Sequence, residues 1–150
     1  MAYEFRIHRR VEFVDTDSAG IVHFSNFFRF MEETEHAFYR SLGFTLYSRG
    51  TKRTLGWPRV SAECRYKSPL RFDDVVEVHL LVQKKTERSL RFRFGFQRLH
   101  PEPAEEIAEG RLTVVFAVVD SSGKMSTLQI PTHIAEKIEV APALCEESSD

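Results

Sequence analysis

Apolar and polar residues take turns along the start of the chain. Tyr3, Phe5, Ile7, Val11 and Phe13 alternate with Glu4, Arg6, His8, Arg10 and Glu12. A period of two predicts a strand with one buried and one wet face. Only Arg9 breaks the pattern. From Phe27 the spacing turns helical: Phe27, Phe30, Met31, Thr34, Phe38 and Leu42 share one side, and Arg29, Glu32, Glu33, His36 and Arg40 fall on the other. Ser25 or Asn26 can cap the start, and Gly43 sits where a left-handed residue would end the helix. The pattern predicts an amphipathic helix of about 17 residues.

Residues 45–56 read as a loop. Four further strands follow. Val60, Ala62, Cys64 and Tyr66 form the apolar face of the first; Val76, Val78, Leu80 and Val82 that of the second. Leu90, Phe92, Phe94 and Phe96 alternate with Arg91, Arg93 and Gln97 in the third, the cleanest alternation in the chain. Leu112, Val114, Phe116 and Val118 mark the last, whose other face is also nearly uncharged. A short helix is expected from Pro131. Strand, helix, then four strands on short turns demands antiparallel neighbours. The fold class is therefore α+β: one long helix laid against a curved, five-stranded antiparallel sheet. Such a sheet leaves edges, so pairing with a second copy is expected.

The chain has 150 residues, enough for one domain. We place that domain at residues 1–141 and read 142–150 as an acidic, disordered tail. A net charge of −1 gives no reason to expect nucleic acid or an anionic membrane as partner. No apolar run approaches the roughly 18 residues of a membrane span, and "MAYEFRIHRR" has no apolar signal core. Two cysteines without metal spacing fit a reduced, cytoplasmic protein.

The candidate chemistry lies in "VDTDSAGIVHFSNFF", residues 14–28. Asp15 and Asp17 stand one residue apart after a strand. An EF-hand loop would need acids or amides where Ala19 and Asn26 stand, and a helix before it. A phosphoryl-transfer aspartate would need a parallel βαβ frame that the element order does not supply. One acid, assigned as Asp15, binds backbone amides in the strand-to-helix turn. Asp17 then precedes a small "SAG" and a helix start. A carboxylate there can act as nucleophile or general base, and free N–H groups at a helix N-terminus can hold a developing oxyanion.

These residues resemble a family. "RRVEFVDTDSAGIVHFSNFFRFMEE" is similar to the signature of hotdog-fold thioesterases of the 4-hydroxybenzoyl-CoA type, a group that includes acyl-CoA thioesterases associated with the Tol-Pal system. "PRVSAECRYKSPLRFDDVVEV" and "RSLRFRF" resemble its later strands. The resemblance spans about residues 3 to 140. It implies a sheet wrapped around the helix, homodimers joined edge to edge or homotetramers, an active site at the dimer interface, and hydrolysis of an acyl-CoA thioester. It implies no metal and no cofactor, coenzyme A being part of the substrate. The catalytic aspartate is then Asp17, with an oxyanion donor at the backbone amide of Phe24 or beside it, and Gly20 and Asn26 fall among the substrate contacts. One pair departs from the pattern. The Tol-Pal-associated members carry an aromatic then a histidine where this chain has His23 and Phe24; the hydroxybenzoyl-CoA type has aromatics at both. His23 is either an acid–base helper or a shaper of the pocket.

The phosphates of coenzyme A call for cations. Lys84, Lys85, Arg88 and Arg91, with Arg93 and Arg98, form the locally basic stretch, and Ser89 begins the strand in its midst. His36 and His79 lack partners at metal-binding spacing, so no metal site is expected. The reading is an acyl-CoA thioesterase. A non-catalytic acyl-CoA-binding protein and a hydratase or dehydratase on the same fold are the alternatives.

Overall fold

The computed structural model describes residues 2–44 and 54–142. Five strands, β1 (Glu4–Arg10), β3 (Arg59–Tyr66), β4 (Val75–Lys85), β5 (Ser89–His100) and β6 (Glu105–Val115), form one sheet in the order β1-β4-β5-β6-β3. Every neighbouring pair is antiparallel. Helix α1 (Asn26–Ser41) lies across its inner face. Gly43 takes φ 88° just past the helix, as expected of its cap. A short helix, α2 (Thr132–Ala135), follows Pro131.

The alternation of β4 and β5 is the core. Val76, Val78, Leu80, Val82, Leu90, Phe92, Phe94 and Phe96 are all buried beneath α1. Each fully buried side chain of this kind contributes roughly 1.5–3 kcal/mol of transfer free energy. The helix runs opposite to β5: Phe27 meets Phe96 with ring centroids 5.2 Å apart, and Phe38 meets Phe92 at 6.2 Å. The helix start therefore sits over the Phe96 end of the sheet. Close approach is possible because β6 carries Gly110. A Cβ there would lie 2.5 Å from Met31 Sδ.

Three expectations need correction. Val60, Ala62 and Tyr66 are exposed and only Cys64 is half-buried, because β3 is the sheet's edge and α1 does not cover it. The last strand is two strands. β6 begins earlier, at Glu105, and ends at Val115; the chain then enters a second sheet as β7 (Ala117–Val119), between β2 (Thr54–Gly56) and β8 (Met125–Thr127). The second face of this stretch is half-buried at Thr113 and Val115 and buried at Ala117, which leaves little place for charge. Residues 54–56, expected in a loop, form β2; the rest of that loop and residues 143–150 lie outside the described residues. Among the described residues no helix is long and apolar enough to cross a membrane.

Candidate active site

The site begins with the residue that broke the first alternation. Arg9 stacks over the Phe30 ring, 4.5 Å from its centroid. Its guanidinium reaches both oxygens of Asp15 at 3.3 Å and Glu33 at 2.8 Å. Asp15 is completely buried, and its carboxylate also accepts the Glu12 N–H at 2.9 Å. This is the turn-binding role expected of it. The backbone carbonyl of Asp15 then accepts two bonds, from His23 N–H at 2.9 Å and from Asn26 Nδ2 at 2.8 Å. Through its carboxylate and its carbonyl, Asp15 thus ties Arg9 and Glu12 to His23 and Asn26.

Asp17 stands at the head of a tight loop. Its N–H donates to Ile21 O, the Gly20 N–H donates back to Asp17 O, and Gly20 takes φ 79° to close the turn. Asp17 Oδ1 accepts the Ala19 N–H at 2.8 Å. Asp17 Oδ2 has no hydrogen-bond partner among the described residues, and the side chain is exposed. Val22 N–H donates to Leu70 O, pinning the loop to the segment that follows β3.

Next comes the helix start. The N–H of Phe24 makes no hydrogen bond among the described residues, whereas those of His23 and Asn26 are both bound. The Phe24 carbonyl accepts the hydroxyl of Tyr66 at 3.0 Å. A cleft of ≈ 460 Å³ opens here, lined by Asp17, Phe24, Phe27, Tyr66, Lys67 and Ser68 among others. Asp17, with its open carboxylate, and Phe24, whose amide is unpaired, line one apolar-walled space at the helix start. The helix dipole adds positive potential at that end. Such a space can hold a carbonyl group undergoing attack.

The other expected residues are placed elsewhere. His23 is outside the cleft lining. Its Nδ1 accepts the Ser25 N–H at 3.3 Å and meets Ser25 Oγ at 2.7 Å. Asn26 is buried and bound to Asp15, away from the cleft. Ser89 bonds Thr86 in the β4–β5 turn and faces Val115 across the sheet. From Phe96, at the cleft end, back to Ser89, β5 spans about 23 Å. Lys84, Lys85, Arg88 and Arg91 lie at that far end and do not reach the cleft of their own chain. Lys85 holds the end of α2 through Ala135 O and Ile138 O, Arg88 donates to Thr127 O, and Arg91 to Thr113 Oγ1. The basic run of sequence belongs to the opposite end of the sheet because antiparallel strands return to where they began.

The lining segment from Tyr66 to Leu70 was not anticipated. Tyr66, Lys67 and Ser68 close the cleft from the end of β3. Lys67 Nζ pairs with Glu106 and Ser68 Oγ with Glu105, each at 2.6 Å. Burial pushes the Tyr66 phenol up to about 12, with Cys64 beside it adding to the shift. Burial likewise pushes the Cys64 thiol up to about 11. Glu35 was also missed. It is fully buried on α1, where it binds Arg59 and the Tyr39 hydroxyl.

A single helix wrapped by an antiparallel sheet, with a cleft at the helix start, is the hotdog arrangement, and known proteins share it. The sequence profile of the Thioesterase-like superfamily matches residues 11–139, and the chain belongs to that family. It is 38% identical over 135 residues to a protein of Aquifex aeolicus (strain VF5) provisionally named an esterase, covering 90% of this chain and 98% of that one. It is 25% identical over 142 residues to the 4-hydroxybenzoyl-CoA thioesterase of Pseudomonas sp. (strain CBS-3), covering 91% and 98%. The fold of the latter matches with a TM-score of 0.80. A solved gentisyl-coenzyme A thioesterase is 30% identical, with a TM-score of 0.75 over 89% of this chain and 98% of that one.

Proposed function

We propose that this protein hydrolyses an acyl-CoA thioester to a free acid and coenzyme A. The observation that carries the reading is the pairing, in one cleft, of the Asp17 carboxylate with the unbonded Phe24 N–H at the start of α1. The thioester carbonyl oxygen would lie against that N–H. Asp17 Oδ2 then either attacks the carbonyl carbon or takes a proton from an attacking water. In the first route a C–O bond forms as the C–S bond breaks. The thiolate of coenzyme A leaves and is protonated by solvent, and water opens the mixed anhydride. In the second route water supplies the new C–O bond directly. In both, negative charge grows on the carbonyl oxygen, where the amide and the helix dipole stabilise it. The reaction calls for no cofactor beyond the substrate's own coenzyme A.

The aromatic walls, Phe24, Phe27 and Tyr66, favour a flat acyl group. The names of the relatives above, which include 4-hydroxybenzoyl-CoA and gentisyl-CoA thioesterases, point the same way. We further propose a homodimer through the free edge of β3, where Val60 is 59% and Tyr66 46% exposed. A two-fold axis there would run a second β3 antiparallel to the first. The far end of the second sheet, with its Arg88 and Arg91, would then approach this cleft and meet the phosphates of coenzyme A. The position of His23 outside the cleft lining favours hydrolysis over a histidine-dependent hydratase reaction.

Release of free coenzyme A from a panel running from benzoyl-CoA to palmitoyl-CoA tests the reading. Turnover with the aroyl member ahead of the long aliphatic ones is expected. No release from any member, with acyl-CoA still bound, would leave a binding protein instead.

A further inference from the structure

We infer that two copies of this chain pair along β3 with Cys64 on their two-fold axis, which sets Ala62 of the partner subunit against Tyr66 in the wall of the cleft. The inference rests on the homodimer proposed above and fixes its register.

The backbone decides which groups are free. Lys67 N–H donates to Ile107 O, and β3 and β6 keep one register from Tyr66 back to Ser61. Bonding residues alternate along an antiparallel ladder, so Arg65, Glu63 and Ser61 turn their N–H and C=O groups to β6. Those of Ala62, Cys64 and Tyr66 face the open edge. The side chains of these three point to the helix side, opposite Leu112, Gly110 and Ala108. Those of Ser61, Glu63 and Arg65 point to the outer face.

Two such edges join only where open-facing residues meet, which places the axis at a residue of β3. Axes nearer either end leave little overlap, so the candidates are Ala62, Glu63, Cys64 and Arg65. An axis at Glu63 sets that carboxylate against its own copy, and one at Arg65 does the same with two guanidiniums. Like charges directly opposite destabilise a strand pair. An axis at Ala62 brings Tyr66 opposite Pro58, which has no N–H and whose carbonyl already accepts the Val115 N–H. An axis at Cys64 meets none of these objections. Glu63 then lies between Arg111 of its own chain, 3.7 Å away, and Arg65 of the partner subunit. Symmetry makes that contact twice. On the helix side the small Ala62 of the partner subunit meets the large Tyr66.

This register reaches the cleft. Tyr66 and Ser68 line it. Beyond Ala62, Val60 of the partner subunit falls opposite Ser68. Val60 is exposed in the single chain, and the pairing covers it. The second copy thus completes the apolar wall on the β3 side of the cleft.

Disulfide mapping under exhaustive oxidation tests the register, because Cα atoms more than ~7 Å apart are not bridged. Opposed residues lie about 5.5 Å apart, whereas Ala62 and its own copy would stand about 13 Å apart along the strand. In Cys145→Ser, which keeps Glu63 and Arg65, Cys64 should link two chains. In a Cys64→Ser/Cys145→Ser background, Ala62→Cys/Tyr66→Cys should link them as well. Either substitution alone should give at least about 10-fold less linked dimer. A chain that stays monomeric overturns the inference and leaves the edge to some other partner. Ala62→Cys linking to itself, or Cys64 and the 62/66 pair both staying free in a dimer, overturns it too. Release of coenzyme A is read separately: a linked dimer that releases none from any acyl-CoA would sink the thioesterase reading and leave the pairing standing.

Discussion

Asn26 Nδ2 donates to the backbone carbonyl of Asp15 at 2.8 Å, and this bond ties the first residue of α1 to the loop that carries Asp17. Asn26 stood among the expected substrate contacts. Its place in the structure gives it a different task, since the same carbonyl also receives the His23 N–H. The acid-bearing loop and the helix start with its unpaired amide converge on one oxygen atom.

Removing the Asn26 amide should therefore loosen both at once. Asn26→Ala is expected to cost about 1–3 kcal/mol, the usual loss for a buried hydrogen-bonding partner. Urea denaturation would measure this. An unchanged midpoint would mean that the bond holds nothing together.

The Arg9 cluster makes a comparative prediction. Arg9→Met leaves the Asp15 carboxylate completely buried without its cation, and breaking such a pair typically costs about 3–5 kcal/mol. Glu33→Gln removes only a partner whose side chain is 38% exposed, for which about 1 kcal/mol or less is expected. Thermal unfolding of the two variants should rank them in that order. Equal losses would show that Asp15 does not depend on Arg9.

Gly110→Ala places a Cβ against Met31 Sδ. The sulfur belongs to a flexible side chain, so the protein should still fold, at a cost of about 1–3 kcal/mol. A shorter residue at the helix position, Met31→Val, should make the added methyl less harmful than it is alone. A double-mutant cycle reads this as a coupling between the two sites. Simple additivity would contradict the close packing of α1 on β6.

Cys64 should be a poor nucleophile. Its thiol, pushed up to about 11, stays protonated at neutral pH, and thiolate appears only as pH climbs towards that value. In a Cys145→Ser chain at pH 8, alkylation by iodoacetamide should run on the order of 100-fold slower than with free cysteine. The rate should rise with pH well beyond the point where free cysteine levels off. Reaction as fast as free cysteine at pH 8 would mean that the thiol is not shielded.

Much of this fold was legible in the chain because burial imposes a period. β4 and β5 lie under the helix, so one face of each had to be apolar throughout, and α1 shows the matching stripe. β3 carries the same alternation yet is exposed, since a period says that a face is apolar and not what covers it. Glu35 sits on α1 with no sequence sign of burial; Arg59, from β3, makes it tolerable. The site divides in the same way. Asp15 and Asp17 are local to one stretch of chain, and two acids ahead of a helix start could be read from it; Phe24 entered only through the family resemblance. Tyr66, Lys67 and Ser68 reach the cleft only through the pairing of β3 with β6, which no local spacing reveals. The place of the basic residues from 84 to 91 was not legible for the converse reason. They are chemically suited to phosphates, but they cluster around the turn that joins β4 to β5, at the end of the sheet away from the cleft of their own chain.

The central claim is that the Asp17 carboxylate performs the hydrolysis, and the direct measurement is release of coenzyme A by Asp17→Asn beside the unaltered protein. The substitution keeps the shape of the side chain and removes its charge. The account predicts that kcat falls by ~10²-fold or more, a loss of at least ~2.7 kcal/mol of transition-state stabilisation, while the variant still binds the acyl-CoA. Full turnover by a correctly folded Asp17→Asn would contradict it.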